Sequence, residues 1–192
     1  MSLINGQNPG LRCPWARGDP LYEQYHDEEW GRPLHGRDAL FERLCLEAFQ
    51  SGLSWITILR KREAFRAAFA QFHVETVAQF GPDDIERLLS DSGIVRNKRK
   101  IDACVNNASR VLDLDCDLDE LLWSFAPPAR PRRLREIAEI PAITAESTAM
   151  AKELKSRGFA FIGPTTAYAL MQATGMVDDH LETCPVRVNS PA

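Results

Sequence analysis

The two ends of the chain carry matching pairs of a thiol and an imidazole. Cys13 and His26 lie near the start, and His180 and Cys184 lie near the finish. Two thiolates and two imidazoles complete the tetrahedral shell of a zinc ion, and a complete shell leaves no open position for a substrate. The alternative is that the four residues are two core thiols and two surface imidazoles. If they bind zinc, the ion is structural and ties the N-terminal segment to the C-terminal tail in one compact body.

Length and composition favour a single domain. A chain of 192 residues suits one domain or two lobes that share a core. We predict a flexible leader over residues 1–11, one domain of two helical lobes over 12–185 and a flexible tail over 186–192. No apolar run is long enough to cross a bilayer, and the N-terminus lacks the regions of a signal peptide. Five cysteines without disulfide-framework spacing indicate a reducing compartment, so we expect a cytoplasmic protein.

Helical periodicity dominates the sequence, and strand-like alternation is scarce. Proline and glycine divide the pattern into segments joined by short loops, which predicts an all-α fold. Helices are predicted over residues 20–30, 38–51, 55–69, 82–91, 97–112, 119–125, 146–157 and 165–174.

One acidic residue falls inside an apolar helix face. Leu40, Leu44 and Glu47 share one side of the helix predicted over 38–51. A carboxylate is costly to bury without a partner, and the alternative is that Glu47 lies at the edge of the stripe and reaches water. Four aromatic residues lie close to it in the sequence: Trp15, Tyr25, Trp30 and Trp55. Together with the misplaced acid, they predict a pocket that stacks on a flat ligand.

A basic segment follows the helix predicted over 82–91. That helix stops at Gly93, a tight turn follows, and a basic helix begins at about Asn97. A helix N-terminus offers free N–H groups and a positive dipole end to a phosphate. The candidate phosphate contacts are Gly93, Arg96, Lys98, Arg99 and Lys100. The net charge of −4 does not indicate a nucleic-acid binder, and only one glycine is present in the turn, so an ordinary helical corner with a solvated basic face is the alternative.

Four blocks of sequence together resemble a known family, 3-methyladenine DNA glycosylase I, which belongs to the helix-hairpin-helix glycosylase superfamily. The blocks contain CPW (13–15), DPLY (19–22), YHD (25–27) and EWG (29–31); Glu47, Gln50 and GLSWIT (52–57); SGIVR (92–96) and KI (100–101); RGF (157–159), FIG (161–163), Tyr168, MQA (171–173), DH (179–180) and Cys184. The resemblance extends over residues 12–184.

The resemblance implies an enzyme of base-excision repair. It would hydrolyse the N-glycosidic bond of 3-methyladenine in alkylated double-stranded DNA, release the free base and act as a monomer. The damaged base would leave the stack and enter the aromatic pocket. Glu47, the implied catalytic residue, and Tyr25 would bind the base edge, with Trp15, Trp30 and Trp55 as walls. Gly52 and Leu53 match a wedge that fills the gap in the duplex.

The resemblance also implies a structural Zn²⁺ on Cys13, His26, His180 and Cys184. The family pattern lacks the aspartate that most helix-hairpin-helix glycosylases carry after the hairpin, and no lysine is identified as a Schiff-base nucleophile. We therefore expect a monofunctional enzyme without strand cleavage. Two alternatives remain: a zinc-stapled DNA-binding module without catalysis, and a zinc hydrolase with an open metal position.

Overall fold

The computed structural model describes residues 11–188, and this part of the chain is helical and contains no β-strand, which confirms the predicted all-α fold. Its α-helices are α1 (Pro20–Glu28), α2 (Arg37–Gln50), α3 (Trp55–Ala68), α4 (Val74–Val77), α5 (Pro82–Ser90), α6 (Lys98–Leu112), α7 (Leu118–Trp123), α8 (Ala145–Ser156) and α9 (Pro164–Ala173). Short 3₁₀ turns cover Pro14–Ala16, Ala70–Phe72 and Ile137–Glu139. The predicted leader, apart from Leu11, and residues 189–192 of the predicted tail lie outside the described residues.

Local sequence signals explain where the helices begin. The Asp19 carboxylate accepts hydrogen bonds from the N–H groups of Leu21 (3.0 Å) and Tyr22 (3.3 Å), and Pro20 occupies the first turn of α1. Asn97 caps α6 in the same way, through the N–H of residue 100. The predicted helix ends consequently fall within one to two residues of the observed ends in α1, α2, α5 and α6.

The segment after α3 contains elements that the sequence analysis did not predict. The helix predicted over 55–69 agrees with α3, but Ala70, Gln71 and Phe72 then adopt positive φ angles of 51°, 56° and 56°, and the short helix α4 follows. Three consecutive left-handed residues without glycine are unfavourable locally. The turn places Phe72 in the core, 5.5 Å from the ring of Phe69 and 6.2 Å from that of Phe41. Tertiary burial therefore determines this conformation, and no local pattern predicts it.

Helix α2 is the central helix of the core. It packs against α3, α6, α7 and α9, and every residue from Leu40 to Phe49 except Glu42 is buried. Burial includes two charged residues, Arg43 and Glu47. The alternative in which Glu47 reaches bulk water from the edge of the helix is therefore excluded.

A second, smaller cluster joins the two ends of the described chain. It contains Cys13, Leu181, Cys184 and Val186, all buried. Arg133 Nη1 donates to the carbonyl oxygen of Val186 at 2.7 Å. The packed body therefore continues past the boundary that we predicted at residue 185. Among the described helices, none is both long and apolar enough to span a membrane.

Candidate active site

A pocket of about 210 Å³ lies where α1, α2, α3 and α9 meet. It is lined by Trp15, Tyr22, Tyr25, Trp30, Glu47, Gln50, Trp55, Ile140, Ala169 and Gln172. The five residues predicted to form a pocket, Glu47 and its four aromatic neighbours in sequence, are thus brought together. Sequence reasoning assigned no role to the other five. Tyr22, Gln50 and Gln172 stand inside the blocks that carry the family resemblance, whereas nothing in the sequence distinguishes Ile140 or Ala169.

Aromatic rings pack edge to face to form the pocket walls. The ring of Trp15 lies 4.9 Å from that of Trp30 and 5.0 Å from that of Tyr22, with interplanar angles of 73° and 64°. On the other side, Tyr25 lies 5.4 Å from Trp55, which begins α3. Such contacts fix the rings and leave flat faces for a planar ligand.

Two polar groups in the pocket wall lack protein partners. Glu47 is only 5 % exposed, and within residues 11–188 no donor bonds its carboxyl group. Burial raises the pKa of Glu47 to about 7, although the nearby guanidinium of Arg43 acts in the opposite direction. The indole N–H of Trp55 is also buried, with no acceptor in the described part of the chain. Unpaired buried polar groups are costly, so this wall is suited to a polar ligand.

A partly buried network of two arginines and a glutamate lies behind the pocket. Arg43 donates to the Tyr25 hydroxyl and to a carboxylate oxygen of Glu29, both at 3.2 Å. Arg62 donates to both oxygens of Glu29, at 2.6 and 2.8 Å. Burial raises the pKa of Tyr25, so its phenol is neutral, and the bond from Arg43 leaves the phenol proton free for a ligand. Sequence reasoning missed Arg43, although its position one helical turn before Glu47 in an apolar stripe was visible.

Leu53 stands exposed beside the pocket. It lies between two pocket residues, Gln50 and Trp55, and is 41 % exposed. Gly52 has a φ of 80°, which ends α2 and turns the chain outward. Leu53 is thus an apolar side chain exposed to solvent close to a cavity, and it does not pack in the core.

The turn between α5 and α6 is held by hydrogen bonds to its backbone. The N–H of Gly93 donates to the Asp91 carboxylate at 2.7 Å. Lys61 Nζ donates to the carbonyl oxygens of Ser92 (2.9 Å) and Gly93 (3.1 Å). The N-terminus of α6 therefore follows a turn whose backbone is held by these hydrogen bonds.

Three of the predicted phosphate contacts, Arg96, Lys98 and Arg99, are exposed around this turn. Lys98 forms an ion pair with Asp102 at 2.8 Å on the same helix face. The guanidinium of Arg99 lies 5.6 Å from the ring centre of Phe161. These cations can therefore reach a phosphate from the N-terminal end of α6.

Lys100 has a different role from the one predicted. It is buried, and its ammonium donates to the carbonyl oxygens of Phe49 (2.8 Å) and Ser51 (2.5 Å). These carbonyls belong to the C-terminal end of α2, where a cation interacts favourably with the helix dipole. The prediction of Lys100 as a DNA contact is corrected accordingly: it joins α6 to α2 beneath the pocket.

The cysteine and histidine residues of the two chain ends converge. The ligand atoms of Cys13, His26 and Cys184 lie within 4.8 Å of one another, and all three residues are buried. The Cys184 sulfur is 3.6 Å from His26 Nε2, and the hydrogen bond from Cys13 lowers the pKa of the Cys184 thiol. His26 Nδ1 lies 2.8 Å from an Asp27 oxygen, which leaves Nε2 for a metal.

His180, the fourth predicted ligand, is adjacent to these three residues but does not join the group within 4.8 Å. Its ring centre lies 4.8 Å from that of His26 and 4.7 Å from that of Trp30. Its Nδ1 lies 2.9 Å from an oxygen of Asp178, and its Nε2 lies 3.5 Å from the carbonyl oxygen of His26. At Gly31, with φ 75°, a Cβ would come within 2.9 Å of the His180 ring, so only glycine allows this approach.

The family model for methyladenine glycosylases matches residues 15–188. The chain belongs to the methyladenine glycosylase family. It is 43 % identical to the DNA-3-methyladenine glycosylase of Haemophilus influenzae, over 93 % of this chain and 98 % of that protein. Its identity to DNA-3-methyladenine glycosylase 1 of Escherichia coli K12 is 45 %, over 90 % of this chain and 95 % of that protein.

Solved structures of the family have the same fold. A crystal structure of a 3-methyladenine DNA glycosylase I superposes with a TM-score of 0.86 at 44 % identity, over 91 % of this chain and 98 % of that chain. The Staphylococcus aureus enzyme, described for its recognition of 3-methyladenine, gives 0.88 at 35 % identity, over 96 % and 100 %. A Tyr-to-Phe variant in complex with 3-methyladenine gives 0.87 at 36 % identity, over 94 % and 99 %. The family resemblance expected from sequence is thereby confirmed.

Proposed function

We propose that this protein excises 3-methyladenine from alkylated double-stranded DNA in base-excision repair. It is a glycosylase that hydrolyses an N-glycosyl bond, as its family membership and its relatives over nearly the whole chain establish. The observation that carries the assignment at the level of residues is the unpaired carboxyl group of Glu47 inside an aromatic pocket. The alternative of a DNA-binding module without catalysis does not require such a group.

The pocket chemistry suits a methylated purine. Methylation at N3 gives the purine a positive charge, and a cationic ring is attracted to the faces of Trp15, Trp30 and Trp55. The pocket volume of about 210 Å³ exceeds that of one such base. The base must leave the helical stack to enter, and Leu53 would fill the space it leaves in the duplex.

Glu47 can bind the base edge in either protonation state. As a carboxylate it accepts from the exocyclic N6 amine, and as a carboxylic acid it donates to N7. A pKa of about 7 gives access to both forms near neutral pH. Tyr25, fixed by Arg43, contributes a neutral phenol donor beside it.

The reaction requires little covalent chemistry from the protein. Water oxygen bonds to C1′, the C1′–N9 bond breaks, and its electron pair neutralises the purine, which leaves as free 3-methyladenine; the water proton passes to solvent. Binding the cationic base tightly and supporting an oxocarbenium-like sugar would lower the barrier. None of the described pocket-lining residues is a lysine, so a Schiff base and strand cleavage are not part of the proposal.

The turn between α5 and α6 would hold the duplex as a helix-hairpin-helix. Arg96, Lys98 and Arg99 are exposed around the N-terminus of α6. Phosphate contacts of this kind position the duplex without reading sequence. Gly93 brings the backbone of the turn close to the phosphate, and Gly52 and Leu53 approach the lesion.

The chain ends would hold a structural zinc ion. Cys13, His26 and Cys184 supply three converging donors, and the adjacent His180 would supply the fourth. The donor set fits Zn²⁺, because each imidazole has a carboxylate on Nδ1, Asp27 for His26 and Asp178 for His180. Bound zinc would contribute folding energy and no catalysis, so a zinc hydrolase with an open metal position is not favoured. The monomeric state and the cytoplasmic location remain predictions.

Methylated DNA tests the function directly. Incubation with alkylated duplex, followed by chromatography of the released bases, should yield free 3-methyladenine and intact DNA strands. Glu47→Gln should reduce release at least tenfold with the fold intact, because the side chain can no longer ionise. Glu28→Gln, on the exposed end of α1, is the matched control. If the wild-type protein releases no base, the proposed function is wrong. If Glu47→Gln keeps full activity, Glu47 has no role in the reaction.

A further inference from the structure

A buried carboxylate next to the pocket has no role in the proposed reaction. Asp179 is fully buried and accepts hydrogen bonds from the Tyr168 hydroxyl and from Gln172 Nε2, both at 2.7 Å. Its other oxygen pairs with the guanidinium of Arg130. Arg130 also donates to the Tyr168 hydroxyl at 3.0 Å. A carboxylate surrounded by donors is held rigidly, and so are the side chains that bind it.

Of these partners, Gln172 is the one that lines the base pocket. Its amide has one donor end and one acceptor end. Since Asp179 occupies Nε2, the carbonyl oxygen Oε1 is the end left for the pocket. Within residues 11–188, Oε1 accepts no hydrogen bond. The backbone of Gln172 is fixed as well, because its carbonyl oxygen accepts from the N–H of Gly31 at 3.0 Å.

We propose that Asp179 fixes the amide of Gln172 with its carbonyl oxygen toward the bound base, where it accepts a hydrogen bond from the exocyclic amine and selects amino-purines. This inference rests on the proposed function of the pocket. A primary amine has two N–H donors and therefore needs two acceptors. Glu47 loses acceptor capacity and gains an O–H donor when it is protonated, whereas the amide oxygen of Gln172 is an acceptor at every pH. Gln172 is a specificity-determining residue, and Asp179 is its positioning residue.

The selection for the exocyclic amine is measured with two free bases. The affinities of 3-methyladenine and 3-methylpurine, which lacks the exocyclic amine, are determined from quenching of the pocket tryptophans. Gln172→Met preserves length and volume but removes the acceptor. The preference of the wild type for 3-methyladenine should fall about five- to tenfold in this variant, as expected for one lost hydrogen bond. Gln24→Met makes the same change on the exposed face of α1 and should keep the wild-type ratio. An unchanged ratio in Gln172→Met, even with weaker binding of both bases, would overturn the proposal.

The role of Asp179 is tested by a double-mutant cycle. In Asp179→Asn the new amide can donate to Gln172, so the Gln172 amide can reverse and present N–H to the base. The preference should fall toward that of Gln172→Met, and the double variant should show no further fall. Asp115→Asn, an exposed aspartate paired with Arg157, is the control for loss of one charge. A wild-type ratio in Asp179→Asn, or additive losses in the double variant, would show that Asp179 does not act through Gln172.

These experiments distinguish an error in the specificity assignment from an error in the proposed function. If wild-type protein releases 3-methyladenine from methylated DNA but Gln172→Met retains the wild-type ratio of affinities, only the specificity assignment is wrong. If wild-type protein neither releases nor binds 3-methyladenine, the proposed function itself is wrong. Should Asp179→Asn fail to fold, which its melting curve reveals, the ratio of Gln172→Met alone decides the assignment.

Discussion

Arg43 and Glu47 lie one helical turn apart on α2 and both are buried. Of these two side chains, only that of Arg43 has hydrogen-bond partners within the described part of the chain. The Arg43 guanidinium donates hydrogen bonds to Tyr25 and Glu29. Because the Glu29 carboxylate compensates much of its positive charge, its attraction for the Glu47 carboxylate is weak. Burial therefore outweighs the attraction of Arg43, and the pKa of Glu47 is raised rather than lowered. The base pocket thus contains a carboxyl group that changes its charge near neutral pH.

This pKa makes the free energy of unfolding depend on pH. The pKa of Glu47 rises from 4.5 to about 7 on folding, so the folded protein binds more protons than the unfolded chain between these values. Stability from this group is therefore complete below pH 4.5 and is lost as the pH rises through about 7, by at most about 3 kcal/mol. Urea unfolding of Glu47→Gln across this range should lack that decrease. Identical pH slopes in the variant and the wild type would contradict a raised pKa.

Removal of the Arg43 guanidinium should weaken the pocket as well as the fold. Arg43→Met leaves the Tyr25 hydroxyl without its donor, while Glu29 keeps Arg62. We expect a loss of about 2–4 kcal/mol in unfolding free energy and a pH profile of excision shifted upward, because Glu47 loses a neighbouring cation. The exposed Arg87→Met, which breaks a surface ion pair, should do neither. A stability loss without a shifted pH profile would mean that Arg43 acts on packing alone.

Substitution of Leu53 should separate activity from stability. Because Leu53 is 41 % exposed, Leu53→Ala should change the melting temperature little. Excision from duplex DNA should fall about tenfold, since nothing would fill the space left by the extruded nucleotide. Leu112→Ala, at a similarly exposed leucine at the end of α6, is the control. Equal excision by both variants would refute the wedge.

Loss of one proposed zinc ligand should destabilise the chain ends. Cys184→Ala should reduce bound zinc, measured by elemental analysis, and lower the melting temperature by 5 °C or more, which corresponds to about 2 kcal/mol or more. Chelation of the wild type should have a similar effect. Cys116→Ala, at an exposed thiol away from the cluster, should retain both properties. A wild-type melting curve for Cys184→Ala would count against the metal site.

The basic residues of α6 should respond differently to substitution. Arg99→Gln should weaken DNA binding and flatten the dependence of log K on log salt by roughly one phosphate, a slope change of about 0.9. Lys100→Met should instead lower stability with the salt slope unchanged, because its ammonium bonds carbonyls at the end of α2. The reverse pattern would restore Lys100 to the DNA surface and remove Arg99 from it.

The sequence predicted the elements that local chemistry determines. Pro20 after Asp19, and Asn97 before a basic helix, place helix starts regardless of the rest of the fold. The left-handed turn at Ala70 to Phe72 was missed because it depends on the burial of Phe72 in the folded core. Local patterns do not contain that information.

The same limit of local patterns explains why only part of the candidate site could be predicted. Glu47 was found because an acid inside an apolar stripe is visible in one helix. The burial of Lys100 and the hydrogen bond that Gln172 donates to Asp179 depend on how segments of the folded chain approach one another, so charge patterning could not find them. Arg43, which donates to Tyr25, could have been predicted, because it lies one helical turn before Glu47.

Tyr25 and His26 are consecutive on α1, and one faces the base pocket while the other faces the cysteines of both chain ends. Trp30, a wall of the pocket, rests directly on the ring of His180. During synthesis, the N-terminal aromatic residues therefore emerge from the ribosome long before the support on which they rest. A nascent chain has no finished base-binding site until the segment around His180 has been released, so a truncated product that ends before His180 should be catalytically inactive even if most of its helices form.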